Sequence, residues 1–153
     1  MNKIFASAAA AFVTVAVMAS APAMADNNTI NVKGTVASVC TVSVQDMGQS
    51  LNLVQGANNV VVGKVTETCN SANGYTISVA SSNGGKLVNG NAKVDYTVNF
   101  DGQQNQTLNS ALQVRHNDQV YGDTKDLQVN VAGNANRVAG NYADTLTITI
   151  ASN

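Results

Sequence analysis

The chain has 153 residues, a net charge of −1, two cysteines, one histidine and no tryptophan. Only 11% of its residues are charged, which excludes the basic surface that nucleic acid or anionic lipid would require. Val, Thr, Asn and Gly are plentiful while Glu and Lys are scarce, and this composition favours β-sheet over helix.

The first 25 residues have the pattern of an export signal that is removed. Lys3 supplies the positive charge, residues 4–17 are mostly apolar, and the Ala-Met-Ala sequence at 23–25 is a small-x-small cleavage site. An uncleaved membrane anchor is the alternative, because the apolar stretch is nearly long enough to span a bilayer. The cleavage site favours removal, so the mature chain is expected to begin at Asp26. Loss of Lys3 would then change the net charge from −1 to −2.

The next segment is one long run of alternating residues. Its even positions share one phase and are occupied by Ile30, Val32, Gly34, Val36, Ser38, Cys40, Val42 and Val44. An extended run over 30–44 would span about 50 Å, whereas a domain of this size is about 35 Å across. Two interpretations stay open on geometry alone. Either the first part of the run is available to another molecule, or a single bent strand crosses between two sheets at Gly34.

The two cysteines, Cys40 and Cys69, are predicted to form a disulfide. An even pair in an exported chain favours a disulfide, and the loop of about 30 residues corresponds to about 3.5 kcal/mol of stabilisation. A metal site would need further His or Cys ligands, and His116 is the only histidine.

Period-two alternation predicts the remaining strands, with turn residues between them. The strands are expected at 60–69, 75–79, 94–100, 127–131 and 146–150, and the turns at 82–85, 101–102, 121–123 and 139–141. Several short strands on a chain of this length predict an all-β sandwich, with residues 38–153 as one domain. Four aromatic residues in phase with the apolar strand faces are expected in its core: Tyr75, Tyr96, Phe100 and Tyr142.

No set of residues indicates catalysis or a cofactor. His116 has no Ser or Cys partner in a recognisable arrangement and is interpreted as a solvated side chain. Asp123, Asp126 and Asn130 match no calcium-loop spacing and are interpreted as turn residues. A secreted hydrolase would need a nucleophile or paired carboxylates, which the sequence does not display. We therefore predict no catalytic residue, no metal and no cofactor.

Both ends of the chain resemble a known family. The segment 26–42, DNNTINVKGTVASVCTV, resembles the mature N-termini of chaperone–usher pilins, in particular the short linker subunits at type 1 pilus tips. Cys69 followed by YTISV at 75–79, and the ending GNYADTLTITI at 140–150, resemble the spore-coat-U-like, archaic branch of pilins. The resemblance implies an incomplete immunoglobulin-like β-sandwich that is completed by a donor strand from a neighbouring subunit.

Residue by residue, the resemblance makes residues 26–37 an N-terminal extension. The donor-strand residues would be Thr29, Ile30, Val32, Gly34 and Val36, with Asn31 and Lys33 facing the other way. The strands at the groove edges would contribute Val42, Val44, Leu146, Ile148 and Ile150. Asn28 departs from the pattern, because linker subunits have an apolar residue there.

The implied function is that of a structural subunit of an adhesive surface fimbria or pilus. Its partners would be neighbouring pilin subunits, a periplasmic chaperone and an outer-membrane usher, with a host receptor that the sequence does not identify. The chain would be exported through the periplasm to the cell surface. The alternative is a self-complete secreted binding module, such as a lectin or adhesin, in which residues 28–36 fold back onto their own domain.

Overall fold

Ten β-strands and no helix make up the regular structure of residues 27–153, the part of the chain that this computed structural model describes. The strands are β1 Cys40–Asp46, β2 Gly56–Cys69, β3 Tyr75–Ser81, β4 Lys86–Asn89, β5 Ala92–Asp95, β6 Thr97–Phe100, β7 Gln103–Gln106, β8 Leu112–His116, β9 Val120–Ala132 and β10 Leu146–Ser152. The predicted export signal lies outside the described residues. Within the described part of the chain, no helix is long and apolar enough to cross a membrane.

The strands form two main antiparallel sheets. One has five strands in the order β1-β2-β9-β6-β7, and the other has three in the order β10-β3-β8. Strands β4 and β5 form a separate hairpin. These elements belong to a unit of residues 36–153, while residues 27–35 belong to a separate unit and contain no strand. The prediction of an all-β, immunoglobulin-like sandwich is confirmed.

The core lies between the two sheets because alternate residues of their strands point inward. Its central side chains are at most 4% exposed, and they come from both sheets: Val65, Val98, Phe100, Leu127, Val129 and Val131 from the larger, and Tyr75, Ile77 and Val79 from the smaller. Tyr96 is also buried, and Tyr142 packs against the cluster from its edge. The predicted core aromatics are therefore confirmed.

The disulfide joins Cys40 to Cys69, as predicted. Cys40 is the first residue of β1 and Cys69 is the last residue of β2, and the two stand directly opposite each other in the antiparallel pairing. The bond therefore ties one end of β1 to the neighbouring strand of the same sheet.

The predicted turn at 121–123 is wrong, because these residues lie inside strand β9. Gly122 has a φ of +74°, which glycine adopts without steric cost. The pairing of β9 with β2 shifts register between Glu67 and Thr68, opposite this glycine. Gly122 therefore marks a β-bulge rather than a chain reversal.

The polar residues of β9 are consequently not turn residues, which corrects a second interpretation. Asp123 pairs with Lys125 at 3.1 Å, and Asp126 pairs with Lys64 of β2 at 2.8 Å. The Asn130 side-chain oxygen accepts a hydrogen bond from a backbone amide of β2. The Asp126 and Asn130 side chains therefore connect β9 with β2, whereas Asp123 pairs within β9, and the three are not arranged as a calcium loop.

The predicted strand at 94–100 is two strands that meet at Tyr96. Val94 lies in β5 and pairs with β4, whereas Val98 lies in β6 and pairs with Val129 of β9. Between them, the backbone N–H of Tyr96 donates to the carbonyl of Gly85 at 3.1 Å. The alternation continues through this break because both strands bury the same phase of side chains.

Candidate functional site: an apolar cleft between two edge strands

Strands β1 and β10 are edge strands of different sheets. Among the described residues, β1 pairs only with β2, and β10 pairs only with β3. Cα atoms of β1 and β10 nevertheless approach within 8 Å of one another. Each strand therefore presents a row of unpaired backbone N–H and C=O groups beside the space that separates them.

The apolar side chains of β1 and β10 that lie next to the core are only partly buried. Ile148 and Ile150 of β10 and Val42 of β1 pack against the core, yet each retains an exposed part, and Val44 is 48% exposed. By comparison, Ile77 of the adjacent strand is fully buried. We call this feature, bordered by Val42, Val44, Leu146, Ile148 and Ile150, the cleft. Those five residues are the predicted groove-edge residues, and they occur together on the two edge strands.

A cavity of about 500 Å³ adjoins the cleft where β10 begins. Its apolar lining includes the side chains of Leu51, Leu53, Val62, Leu87 and Leu146. Leu51 and Leu53 follow β1 in a loop, and sequence analysis did not identify them. Their spacing of two and their position just after a strand are the only sequence signals that could have done so.

The start of β10 is fixed by Asp144. Its Oδ2 accepts hydrogen bonds from the Ser81 hydroxyl and the Tyr96 hydroxyl, both at 2.5 Å, and its Oδ1 accepts one from the backbone N–H of Thr145 at 2.7 Å. Burial and the neighbouring carboxylate raise the pKa of Tyr96 far above its ordinary value, so it remains a donor at any physiological pH. This network holds β10 against β3 at the end nearest the cavity.

The other end of β10 is fixed by Asn153. Its side-chain oxygen accepts a hydrogen bond from the Thr76 hydroxyl at 2.6 Å, and its amide nitrogen donates to the carbonyls of His116 at 2.8 Å and Asn73 at 3.2 Å. Its backbone N–H donates to the carbonyl of Gly74 at 3.1 Å. Strand β10 is thus anchored at both ends, while its free side remains open along the cleft.

The predicted donor segment has the same alternation without a partner sheet. Residues 27–39 contain no strand. The side chains of Ile30, Val32 and Val36 are 91%, 92% and 86% exposed, and Thr29 is also exposed. A Cβ built on Gly34 would meet no atom within 4 Å. Branched apolar side chains exposed at alternate positions are suited to cover an apolar surface of another molecule.

A second polar cluster lies in the core, and sequence analysis missed it. Glu67 of β2 is fully buried, and its Oε2 accepts a hydrogen bond from the Tyr75 hydroxyl at 2.7 Å. Its Oε1 has no partner among the described residues, an arrangement that costs about 1–3 kcal/mol. Burial raises the pKa of Glu67, although the Tyr75 hydrogen bond partly opposes that shift. The signal for this residue was present, because Val65, Glu67 and Cys69 share one buried phase.

His116 belongs to this cluster, so its interpretation as a solvated side chain is wrong. Its ring stacks on Tyr75 with 4.6 Å between centroids, and its Nε2 lies 2.5 Å from Oδ2 of Asp101. Oδ1 of Asp101 lies 2.8 Å from Nζ of Lys125, and this hydrogen bond raises the pKa of Lys125. The cluster joins residues from both sheets at separations of up to 58 positions along the chain, which no local pattern reveals.

Comparisons with known proteins identify the family. The family model of the Spore Coat Protein U domain matches residues 26–149. Among solved structures, the chain is similar to the minor tip subunit HdaB of the E. coli Hda pilus, at 11% identity and a TM-score of 0.38, covering 72% of this chain and 79% of that one. Curated proteins give no significant match. Because the family model spans most of the chain, this protein belongs to the spore coat protein U family, a family of structural rather than enzymatic proteins that includes the archaic chaperone–usher pilus subunits.

Proposed function

We propose that the chain is a structural subunit of an adhesive surface fimbria and that its subunits join by donor-strand exchange. In this scheme residues 28–36 of one subunit enter the cleft of the next. The observation that carries the proposal is that two free strand edges, β1 and β10, lie beside one apolar cleft. A strand added there would satisfy open backbone groups while its alternate side chains cover the core.

The lengths of the two partners support this pairing. Strand β10 has seven residues and extends about 23 Å, whereas the nine residues of 28–36 extend about 30 Å. The segment is therefore long enough to cover the whole of β10 and to continue by about two residues. The apolar cavity at the start of β10 would accept that continuation.

The direction of pairing follows from strand geometry. Antiparallel pairing is the more stable arrangement, and with Ile30 beside Ile150 it would place Val36 two positions beyond Leu146, at the cavity. Val32 would lie beside Ile148 and Gly34 beside Leu146, with Thr29 beginning the strand. Asn31 and Lys33 would point away from the core because successive side chains alternate.

The energies favour assembly. Burial of Ile30, Val32 and Val36 would contribute about 1.5–3 kcal/mol each, and each new backbone hydrogen bond about 1 kcal/mol net. Before assembly, the open edges and the cleft would promote aggregation. We infer that a periplasmic chaperone covers them, and that an outer-membrane usher then assembles the subunits at the cell surface.

The test is electrophoresis of purified fibres without boiling. The wild-type chain should give a heat-sensitive ladder, because exchanged strands resist detergent until heated. Gly34→Leu should abolish the ladder but leave the subunit folded, since the site is open in the subunit and would be crowded only inside a cleft. Lys33→Ala is the matched control and should give a normal ladder.

Deletion of residues 26–36 separates this mechanism from the alternative. Donor-strand exchange predicts a subunit that folds on its chaperone but cannot join the next subunit. A truncated chain that polymerises normally, or a full-length chain that is monomeric and stable without a chaperone, would contradict the proposal. The second result would identify a self-complete secreted binding module.

A further inference from the structure

We propose that Glu67, Asp101 and His116 form a binding site for a divalent cation of the zinc class. One ligand atom from each residue lies within 4.8 Å of the others. The sequence prediction of no metal rested on the single histidine. The fold brings two carboxylates to that histidine from β2 and from the turn after β6.

The unpaired oxygen of Glu67 is the observation that points to a ligand. Glu67 is fully buried, and the Tyr75 hydroxyl satisfies Oε2 while Oε1 has no partner among the residues described. A buried carboxylate oxygen of this kind requires a hydrogen-bond donor or a cation. A cation shared with Asp101 and His116 would satisfy it directly.

The ligand types select the metal. One imidazole nitrogen and two carboxylate oxygens form a mixed set that suits Zn²⁺, which leaves a fourth position for water. Ca²⁺ takes six to eight oxygen ligands, and Mg²⁺ favours oxygen ligands and retains its waters. Nε2 of His116 and Oδ2 of Asp101 are now 2.5 Å apart. They would need to separate by about 1 Å, because the ligands of a tetrahedral zinc site are about 3.3 Å apart.

An ion would reach the site from solvent past the His116 side chain, which is 27% exposed, because the Asp101 side chain is only 9% exposed. The Tyr75 ring stacks on the imidazole and fixes its plane. The ion would replace the hydrogen bond between His116 and Asp101, and the two side chains would move apart only by the distance of about 1 Å that zinc ligation requires.

The ammonium group of Lys125 would lower the affinity of this site for Zn²⁺. Its Nζ lies 2.8 Å from Oδ1 of Asp101 and 3.1 Å from Oδ2 of Asp123. This ammonium occupies one oxygen of Asp101 and leaves the other oxygen toward His116. Because like charges repel, removing the ammonium should tighten zinc binding. A purely structural ion-pair network makes no such prediction.

The test is zinc titration of metal-stripped fibres by equilibrium dialysis, with bound metal counted by mass spectrometry. The wild-type chain should bind one Zn²⁺ per subunit. Glu67→Gln and His116→Gln should each weaken binding at least tenfold, and Lys125→Met should strengthen it several-fold. Asp95→Asn removes a carboxylate from a side chain that is 82% exposed and should change nothing.

Two results would overturn the site. One is wild-type fibres that bind no Zn²⁺. The other is Zn²⁺ binding that Glu67→Gln leaves unchanged, which would place the ion elsewhere on the surface. Glu67→Gln preserves an acceptor for the Tyr75 hydroxyl, so its fold is expected to survive. A thermal unfolding curve without zinc checks that expectation.

Discussion

Val32→Ser should weaken the contact between subunits without weakening the subunit itself. The Val32 side chain is 92% exposed in the subunit, so almost all of it is available for burial in a neighbour's cleft. Burying a valine contributes about 1.5–3 kcal/mol, and serine would lose this contribution. Because 1.4 kcal/mol corresponds to a factor of ten, the dissociation constant should rise about 10- to 140-fold.

The assay uses synthetic peptides of residues 26–37 bound to subunits that lack residues 26–36. The free energy of unfolding of each complex is measured in guanidinium, where a stability change appears as a shifted midpoint at constant slope. The matched control is Lys33→Ser, which introduces the same residue one position away on the opposite face of the strand. It should shift the midpoint little.

Two results would contradict this prediction: a Val32→Ser complex that unfolds at the wild-type midpoint, or a Lys33→Ser complex that is destabilised as much as the Val32→Ser complex. The first result would mean that Val32 does not enter an apolar cleft. The second would mean that the segment binds without a fixed alternation of faces, because a one-residue slip exchanges the buried and exposed sets.

Three further predictions concern the subunit and are read from denaturant unfolding. Replacing both half-cystines by alanine should lower the free energy of unfolding by about 3–4 kcal/mol, since the disulfide closes a loop with a sequence separation of 29; an unchanged midpoint would contradict this. Asn153→Ala should lower the free energy of unfolding by about 1–3 kcal/mol, because the Thr76 hydroxyl loses its acceptor and two carbonyls lose their donor. A variant as stable as the wild type would show that water replaces these hydrogen bonds without loss. Gly133→Ala should lower the free energy of unfolding by about 1–3 kcal/mol, because the new Cβ would lie 2.5 Å from a backbone carbon. Gly63→Ala is the control and should lower it much less, because its Cβ would have its nearest contact at 3.5 Å.

The sheet architecture could be predicted from the sequence because alternation is a local property. Strands β3 and β10 follow directly from the apolar positions at 75–79 and 146–150. The same rule explains the errors. The sequence around Gly122 predicts a turn, but whether a glycine reverses the chain or forms a β-bulge depends on the strand with which it pairs. The alternation of apolar residues continues through Tyr96, so the sequence does not reveal that β5 and β6 pair with different strands.

The candidate sites show the limit of such patterns more clearly. Val42 and Ile148 were assigned to a groove edge by resemblance, since periodicity shows that a side chain faces inward but not that its strand lies at an edge. Glu67 lies at a position for which the alternation of β2 predicts burial, but a single charged residue at such a position was not interpreted as part of a site. Its partner His116 is 49 positions away, and only the folded sheets bring them together.

If subunits join by strand exchange, as proposed, the disulfide has a consequence for the order of events in assembly. Strand β1 is paired on one side only, and a strand held by a single ladder can slip along its neighbour by two residues while keeping the same face inward. The Cys40–Cys69 bond joins two residues that are direct cross-strand partners, so it allows only one alignment of β1 on β2. Oxidation of the two thiols therefore fixes the register of β1, one of the two strands beside the cleft. A reduced subunit could present Val42 two positions out of step with an incoming strand, which makes thiol oxidation a checkpoint that should precede polymerisation.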